Sequence, residues 1–346
     1  MPHRLSYPFA DRLPRDGELL AVAPGIHWLR LPLPLALDHI NLWLLDDGPD
    51  WSLVDTGYGD EPSRARWQTL CEGSLARRRL RRLVLTHSHP DHIGQADWLC
   101  RRFEVSCHCS LGEYLSALAV WHELPGFDAV AYDRHVARHG LDQTSRNHYL
   151  QRGNLYRQNV PALPAHFSRI VDGDCLSIDG HSWQALAGFG HSPEHMAFYC
   201  AERRVLIAGD MLLPKISTNV GVWASDSDGD PLARFLDSLE RMAALPEDTL
   251  VLPSHGRPFR GIAARVEALQ RHHDERLALL WDACCEPRHA FELIPLLFGR
   301  EFDPYQTYFA LAECIAHLNH LWHCGALQRE AGSDGVLRYG QNGSGR

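Results

Sequence analysis

The sequence predicts a mixed α/β fold over residues 1–260, followed by a smaller helical unit over residues 261–346. Three observations carry that expectation. Short apolar runs bounded by Asp, Gly or Pro recur through the first part of the chain, as strands ending in loops do. Between them lie apolar residues at helical spacing. Beyond Gly261 the spacing is helical almost to the end. The 346 residues suffice for one large domain with a substantial core and a smaller companion.

The strand-like runs are Asn41 to Leu45, Trp51 to Val54, Leu83 to Leu85, Trp183 to Phe189, Val205 to Ala208 and Leu250 to Leu252. Ile93, Ala96, Leu99, Cys100 and Phe103 share one helical face, as do Leu232, Phe235, Leu236, Leu239 and Met242. Asp230 and Pro231 stand where the second helix needs an N-cap and a first residue. From about Leu111 to His166, aromatic, Arg and His residues recur at helical spacing with no clear strand. This reads as a helical insertion, either a lid over a substrate pocket or a peripheral helical pair packed on the core.

After Gly261 a long helix is expected to about Cys285, a short one from His289 to Phe298, and another from Tyr305 to about Cys324. Two short strands around a turn then run from Gln328 to Tyr339. Three helices and a hairpin form a winged-helix pattern. This tail carries eight Arg and no Lys against eleven Asp and Glu, a net of −3. A DNA-reading role needs the opposite sign, so packing, dimerisation or closure of a substrate cleft is the better reading. Within the long helix, His272-His273 reads as a solvated face.

Composition narrows the class. Apolar residues make up 45% and charged residues 22%, the balance of an ordinary globular protein. No apolar run is long enough for a transmembrane helix. The first residues, with Arg4, Asp11, Arg12 and Arg15, lack the apolar segment of a signal peptide, which points to the cytoplasm. Ten scattered cysteines without a Cys-x-x-Cys pair read as reduced, mostly buried thiols. The net charge of −9 disfavours a surface built to track phosphate backbones. The cluster Arg77, Arg78, Arg79, Arg81 and Arg82 precedes its strand and therefore reads as a solvated helix end; Lys215 is the only lysine.

The chemistry is concentrated in Thr86-His87-Ser88-His89-Pro90-Asp91-His92. In an extended stretch residues i and i+2 point the same way, so His87 and His89 can bind one ion. Pro90 delays the following helix, so Asp91 and His92 can turn towards a second. Imidazole with carboxylate suits Zn²⁺, with Fe or Mn as alternatives. His191, Asp210 and His255 each follow an apolar strand and can converge on the same place. Chance pairs are expected among 22 histidines, but chance does not account for this cluster and three strand-terminal partners together.

The pattern resembles the metallo-β-lactamase superfamily. Its usual blocks appear as Leu53-Val-Asp55-Thr-Gly57, His87 to His92, Gly190-His191-Ser-Pro, Ala208-Gly-Asp210 and Pro253-Ser-His255-Gly256. The resemblance implies a four-layer αββα sandwich. It implies that His87, His89 and His191 bind a first ion, that Asp91, His92 and His255 bind a second, and that Asp210 bridges them. Asp55 would hold the ligand-bearing loops by hydrogen bonds without touching metal. The tail is similar to the winged-helix tail of the lactamase-β-like branch.

Two such cations would lower the pKa of a shared water towards neutrality and polarise the substrate's oxygen, while Asp91 orients the nucleophile and takes its proton. The first expected substrate class is a thioester of coenzyme A, an acyl carrier or glutathione. The alternatives are a single-strand-selective endoribonuclease and a non-enzymatic metal-binding regulator. Asp210, where the best-known lactamases have Cys, disfavours antibiotic hydrolysis. The oxygen-reducing diiron branch has Glu at the second His of the cluster and a fused flavin domain. Lys215, just beyond Asp210, is the candidate contact for an anionic substrate.

Overall fold

Residues 5–35, 37–300 and 302–342 are described by a computed structural model. The chain begins with β1 (Leu20–Ala23), β2 (Ile26–Pro32), β3 (His39–Asp47) and β4 (Asp50–Val54). Next come α1 (Glu61–Glu72), β5 (Leu80–Val84), α2 (Pro90–Ile93), α3 (Ala96–Phe103) and β6 (Cys107–Cys109). The expected insertion consists of α4 (Leu111–Trp121), α5 (Ala129–Arg138), α6 (Gln143–Gln151) and α7 (Leu155–Asn159), with no strand among them. There follow β7 (Phe167–Arg169), β8 (Cys175–Ile178), β9 (His181–Gly188), β10 (His195–Cys200), β11 (Val205–Gly209), α8 (Pro231–Ala243) and β12 (Leu250–Pro253). The tail is α9 (Ile262–Ala283), α10 (Ala290–Phe298), α11 (Pro304–His323), β13 (Leu327–Ala331) and β14 (Leu337–Gln341).

Two sheets form, ordered β1-β2-β3-β4-β5-β6-β7 and β12-β11-β10-β9-β8. Their inner faces bury Trp28, Trp43, Val54 and Val84 against Trp183, Phe198, Ile207 and Leu252. The outer face of the first sheet, with Leu29, Leu42, Leu53 and Leu83, packs on Trp67 of α1, Leu99 of α3 and Ala117 of α4. The outer face of the second, with Tyr199, Leu206 and Val251, packs on Leu232, Phe235 and Leu239 of α8, and shares that core with Leu280 of α9 and Leu318 of α11. The layers therefore run helix, sheet, sheet, helix. Strands covered on both sides are largely apolar, and β10, β11 and β12 are buried at every residue, with His195 at the start of β10 an exception to the apolar pattern.

Local signals hold where expected. Asp230 caps α8, accepting from Ala233 N at 3.0 Å, with Pro231 as the first helical residue. The tail helices start and stop within a few residues of their predicted ends, and the terminal ribbon pairs Leu327–Ala331 with Leu337–Gln341. The reading of His272-His273 as a solvated face is wrong for His273. That side chain is fully buried, its ring beside Phe235, because α9 turns this face onto α8 and α11. His273 Nδ1 lies 3.0 Å from His317 Nε2, and His317 Nδ1 donates to the Glu313 carbonyl. His273 thus donates within the pair, and both rings are neutral.

Burial, with His317 adding to it, holds His273 down at about 2, and burial holds His317 at about 3. Their folded values lie below the unfolded value near 6.5. The unfolded chain therefore binds more protons between those limits, and the stability that the neutral pair contributes is fully present above about pH 6.5 and is lost progressively as pH falls from there towards the folded values. Metal-stripped protein is expected to show a lower urea midpoint at pH 5 than at pH 7.5; an equal or higher midpoint at pH 5 would contradict the neutral pair. Phe235→Ala, at a fully buried position, is expected to cost about 3–5 kcal/mol in the same assay.

Candidate metal centre

Five of the seven candidate ligands sit just beyond the end of a strand. His87 and His89 follow β5 of the first sheet, whereas His191, Asp210 and His255 follow β9, β11 and β12 of the second. β11 and β12 pair in parallel, which brings Asp210 and His255 to the same edge. Pro90 opens α2, so Asp91 and His92 lie in its first turn.

The structure gathers these residues into two groups. His87, His89, His191 and Asp210 form one, and Asp91, His92 and His255 the other, with the donor atoms of each group within 4.8 Å of one another. Asp210 also reaches the second group: its oxygens stand 3.4 Å from His255 Nε2 and 3.6 Å from His92 Nε2, as well as 3.5 Å from His191 Nε2. Asp91 lies 3.4 Å from His255 Nε2 and 3.6 Å from His92 Nε2. Its side chain keeps 17% exposure while those two rings are almost fully enclosed, so the centre opens to solvent at His89 and Asp91.

The opposite ring nitrogens are occupied by the protein. His191 Nδ1 donates to the Asn219 carbonyl and His255 Nδ1 to the His39 carbonyl, both at 2.8 Å. His92 Nδ1 donates to Asp55 Oδ2 at 2.8 Å. Asp55 also accepts from Thr86 N and Thr86 Oγ1, both at 2.8 Å, and lies outside both groups. It occupies the left-handed region at φ 60°, a conformation that costs a non-glycine residue energy and persists only where surrounding contacts fix it.

His195 and Glu313 are among the residues that escaped the sequence reading. His195, fully buried at the start of β10, accepts from Asp210 N at 3.1 Å. Gly209 carries no side chain there because a Cβ would collide with the His195 ring. Glu313 of α11 accepts from Asn219 Nδ2 at 2.9 Å and pairs with Arg276 of α9, so the tail supports the loop whose carbonyl orients His191. The Gly-His-Ser-Pro-Glu-His spacing could have flagged His195; nothing local marks Glu313. Lys215 is exposed in the same loop and has no hydrogen bond or ion pair among the described residues. The arginine cluster is not the expected solvated helix end: α1 stops at Glu72, Arg81 and Arg82 lie in β5 at the end away from His87, and half-buried Arg78 pairs with Asp46 at 2.7 Å.

The residues fit divalent cations. Two nitrogens each about 2.0 Å from one tetrahedral ion stand about 3.3 Å apart, and His87 Nε2 and His191 Nε2 are 3.2 Å apart. His92 Nε2 and Asp210 Oδ1 are buried without a hydrogen-bond partner among the described residues, a costly arrangement unless something else satisfies them. Burial and the imidazoles around it hold His87 well below the usual range, and burial with His191 holds His89 at about 3. Burial alone would depress His255 too, but Asp210 and Asp91 raise it to about 10. Protons thus occupy the carboxylate-rich side when no cation does.

Returning a divalent cation to chelator-stripped protein is expected to load about two ions per chain and raise the melting temperature, in line with about 4 kcal/mol at a thousandfold excess over Kd. Absence of uptake by elemental analysis, with an unmoved melting temperature, would sink the site.

The comparisons agree with this geometry. The description "Metallo-beta-lactamase superfamily" matches residues 35–255, and "Metallo-beta-lactamase-like, C-terminal domain" matches residues 277–342. A crystal structure of a beta-lactamase domain protein from Burkholderia ambifaria is 44% identical, covers 99% of both chains and superposes with a TM-score of 0.91. A probable metallo-hydrolase of Bacillus subtilis is 26% identical over 85% of this chain and 91% of its own length. An atrochrysone carboxyl ACP thioesterase of Aspergillus fumigatus is 26% identical over 83% of this chain and 74% of its own. A strand-end cluster of five histidines and two aspartates, on two facing sheets flanked by helices, thus belongs to a chain that is a member of the metallo-beta-lactamase superfamily of hydrolases.

Proposed function

We propose that this hydrolase cleaves an acyl thioester, using two divalent cations, with zinc the first expectation. His87, His89 and His191 would hold one, Asp91, His92 and His255 the other, and Asp210 would contact both. Bound there, such ions supply Lewis acidity to a carbonyl oxygen and bring the pKa of water towards neutrality. The observation that carries the reading is the convergence of these seven side chains, with Asp91 at the open side of the centre.

Asp91 lies on the solvent-facing side of the centre, and its carboxylate is the proposed group that orients the attacking water and takes its proton. Water adds to the thioester carbonyl, the carbon–sulfur bond breaks, and a carboxylic acid and a thiol leave. Burial raises the Tyr58 and Tyr305 phenols, and the Asp91 charge adds to the effect in both. Both rings lie within electrostatic reach of Asp91 and are the proposed contacts for an acyl group. The tail's net of −3 and the chain's −9 weigh against an RNA strand as substrate. The Aspergillus relative, itself named a thioesterase, aligns with most of the chain. Lys215, exposed just beyond Asp210, is the proposed contact for an anionic carrier.

A panel of coenzyme A, acyl-carrier and glutathione thioesters, followed by thiol release, tests the reading beside a single-stranded RNA. Metal-loaded protein is expected to release thiol, with His89→Ala slower by about 10³-fold and Asp91→Ala by about 10²–10⁴-fold. RNA cleavage with every thioester untouched would move the protein to the nuclease reading. Full activity in Asp91→Ala would remove that residue's proposed role.

A further inference from the structure

The first turn of α4 departs from what its own sequence favours. Ser110-Leu-Gly-Glu113 has the Ser-x-x-Glu spacing of a capping box, in which the glutamate reaches back to the N-cap backbone. Half of the box forms: Ser110 Oγ accepts from Glu113 N at 3.3 Å. The Glu113 carboxylate turns the other way. It is 1% exposed and accepts four hydrogen bonds, from Ser88 N at 2.9 Å, Ser88 Oγ at 2.7 Å, Ser192 Oγ at 2.6 Å and Glu194 N at 2.8 Å. Ser88 lies between His87 and His89, and Ser192 directly follows His191.

We propose that Glu113 is a positioning residue that locks the two histidine-bearing loops together, so that the helical insertion sets the affinity of the first metal position. One carboxylate spans a loop of each sheet and fixes the neighbours of three candidate ligands. The insertion reinforces the clamp: Tyr156 of α7 donates to the Ser88 carbonyl at 2.7 Å, Ser110 Oγ donates to the Glu194 carbonyl, and Gly112 N donates to Glu194 Oε2, both at 2.8 Å. A Cβ on Gly112 would meet Glu194 Cβ at 2.9 Å, so the approach requires glycine. Four donors converging on one group need an acceptor-only partner. Glutamine, nearly isosteric, would aim its NH₂ at two of them, a backbone N–H and a serine hydroxyl. Local preference is overridden here in favour of the centre, as expected where a residue serves function.

The inference rests on these residues binding metal and is independent of the substrate. Zn²⁺ competition against a chromophoric chelator, with the visible spectrum of Co²⁺-loaded protein, tests it. Glu113→Gln is expected to weaken the tighter Zn²⁺ by about 10–100-fold, the usual effect of losing a residue that orients a ligand, and to alter the Co²⁺ bands. Ser88→Ala and Ser192→Ala, which each remove one hydroxyl donor, are expected to show smaller losses in the same direction, and they decide the matter if Glu113→Gln does not fold. Wild-type Zn²⁺ affinity and an unchanged Co²⁺ spectrum in folded Glu113→Gln, or in both serine variants, would overturn the proposal. Failure of wild-type protein to bind Zn²⁺ would overturn the metal reading beneath it.

Discussion

The site depends on a division of labour within each imidazole. His92, His191 and His255 use Nδ1 to donate to Asp55, Asn219 and His39, which leaves Nε2 turned to the centre. A neutral imidazole has one donor and one acceptor nitrogen, so a fixed donor bond on one side fixes the lone pair on the other. The tautomers are thereby chosen by the fold before any ion arrives. The acceptors belong to different parts of the chain: Asp55 directly follows β4, His39 begins β3, and Asn219 lies in the loop after β11. The arrangement of ligands therefore follows from the sandwich as a whole and not from the His87–His92 segment alone.

Charge explains why the cluster can be buried. Seven titratable side chains within a few ångströms cannot all be desolvated without compensation. Two carboxylates, Asp91 and Asp210, face five imidazoles, and the carboxylate-rich side pulls His255 upward while burial and mutual repulsion push His87 and His89 down. Cations placed among these groups satisfy the carboxylates and the imidazole lone pairs together. That is a stronger demand than either residue type makes alone, and it accounts for the unpartnered atoms of His92 and Asp210.

Much of this was legible in the chain, for reasons that can be stated. A His-x-His-x-Asp-His run and strand-terminal His or Asp residues keep their meaning in one dimension, because strand ends and the i, i+2 geometry are local. The tail helices were legible for the same reason, and so was the cap at Asp230. Strands β6 and β7 were not. They have three residues each and exist through parallel pairing, β6 with β5 and β7 with β6 across the whole insertion. His273 was misjudged because exposure depends on what a helix face meets, and here it meets α8 and α11. Glu113 carries a local signature that points to the wrong partner, since only the folded chain brings Ser88 and Ser192 to it.

The tail and the insertion act on the centre in parallel ways. Arg265 of α9 donates to the Leu213 and Ile216 carbonyls at 2.5 and 2.8 Å, and Glu313 of α11 holds Asn219, so the first part of the loop beyond Asp210 is fastened at three points from the tail. The insertion fastens the loops of His87, His89 and His191 through Glu113. Hydrogen bonds between the sheets, such as His255 Nδ1 to the His39 carbonyl, hold some of the candidate-ligand loops directly, and the insertion and the tail add ties from outside the sheets. Both appended segments supply such ties with buried carboxylates, each satisfied by several donors. Loss of the Glu113 or Glu313 carboxylate alone would release a candidate ligand's support and leave the core in place, because these hydrogen bonds come from single side chains whereas the packing is spread over many.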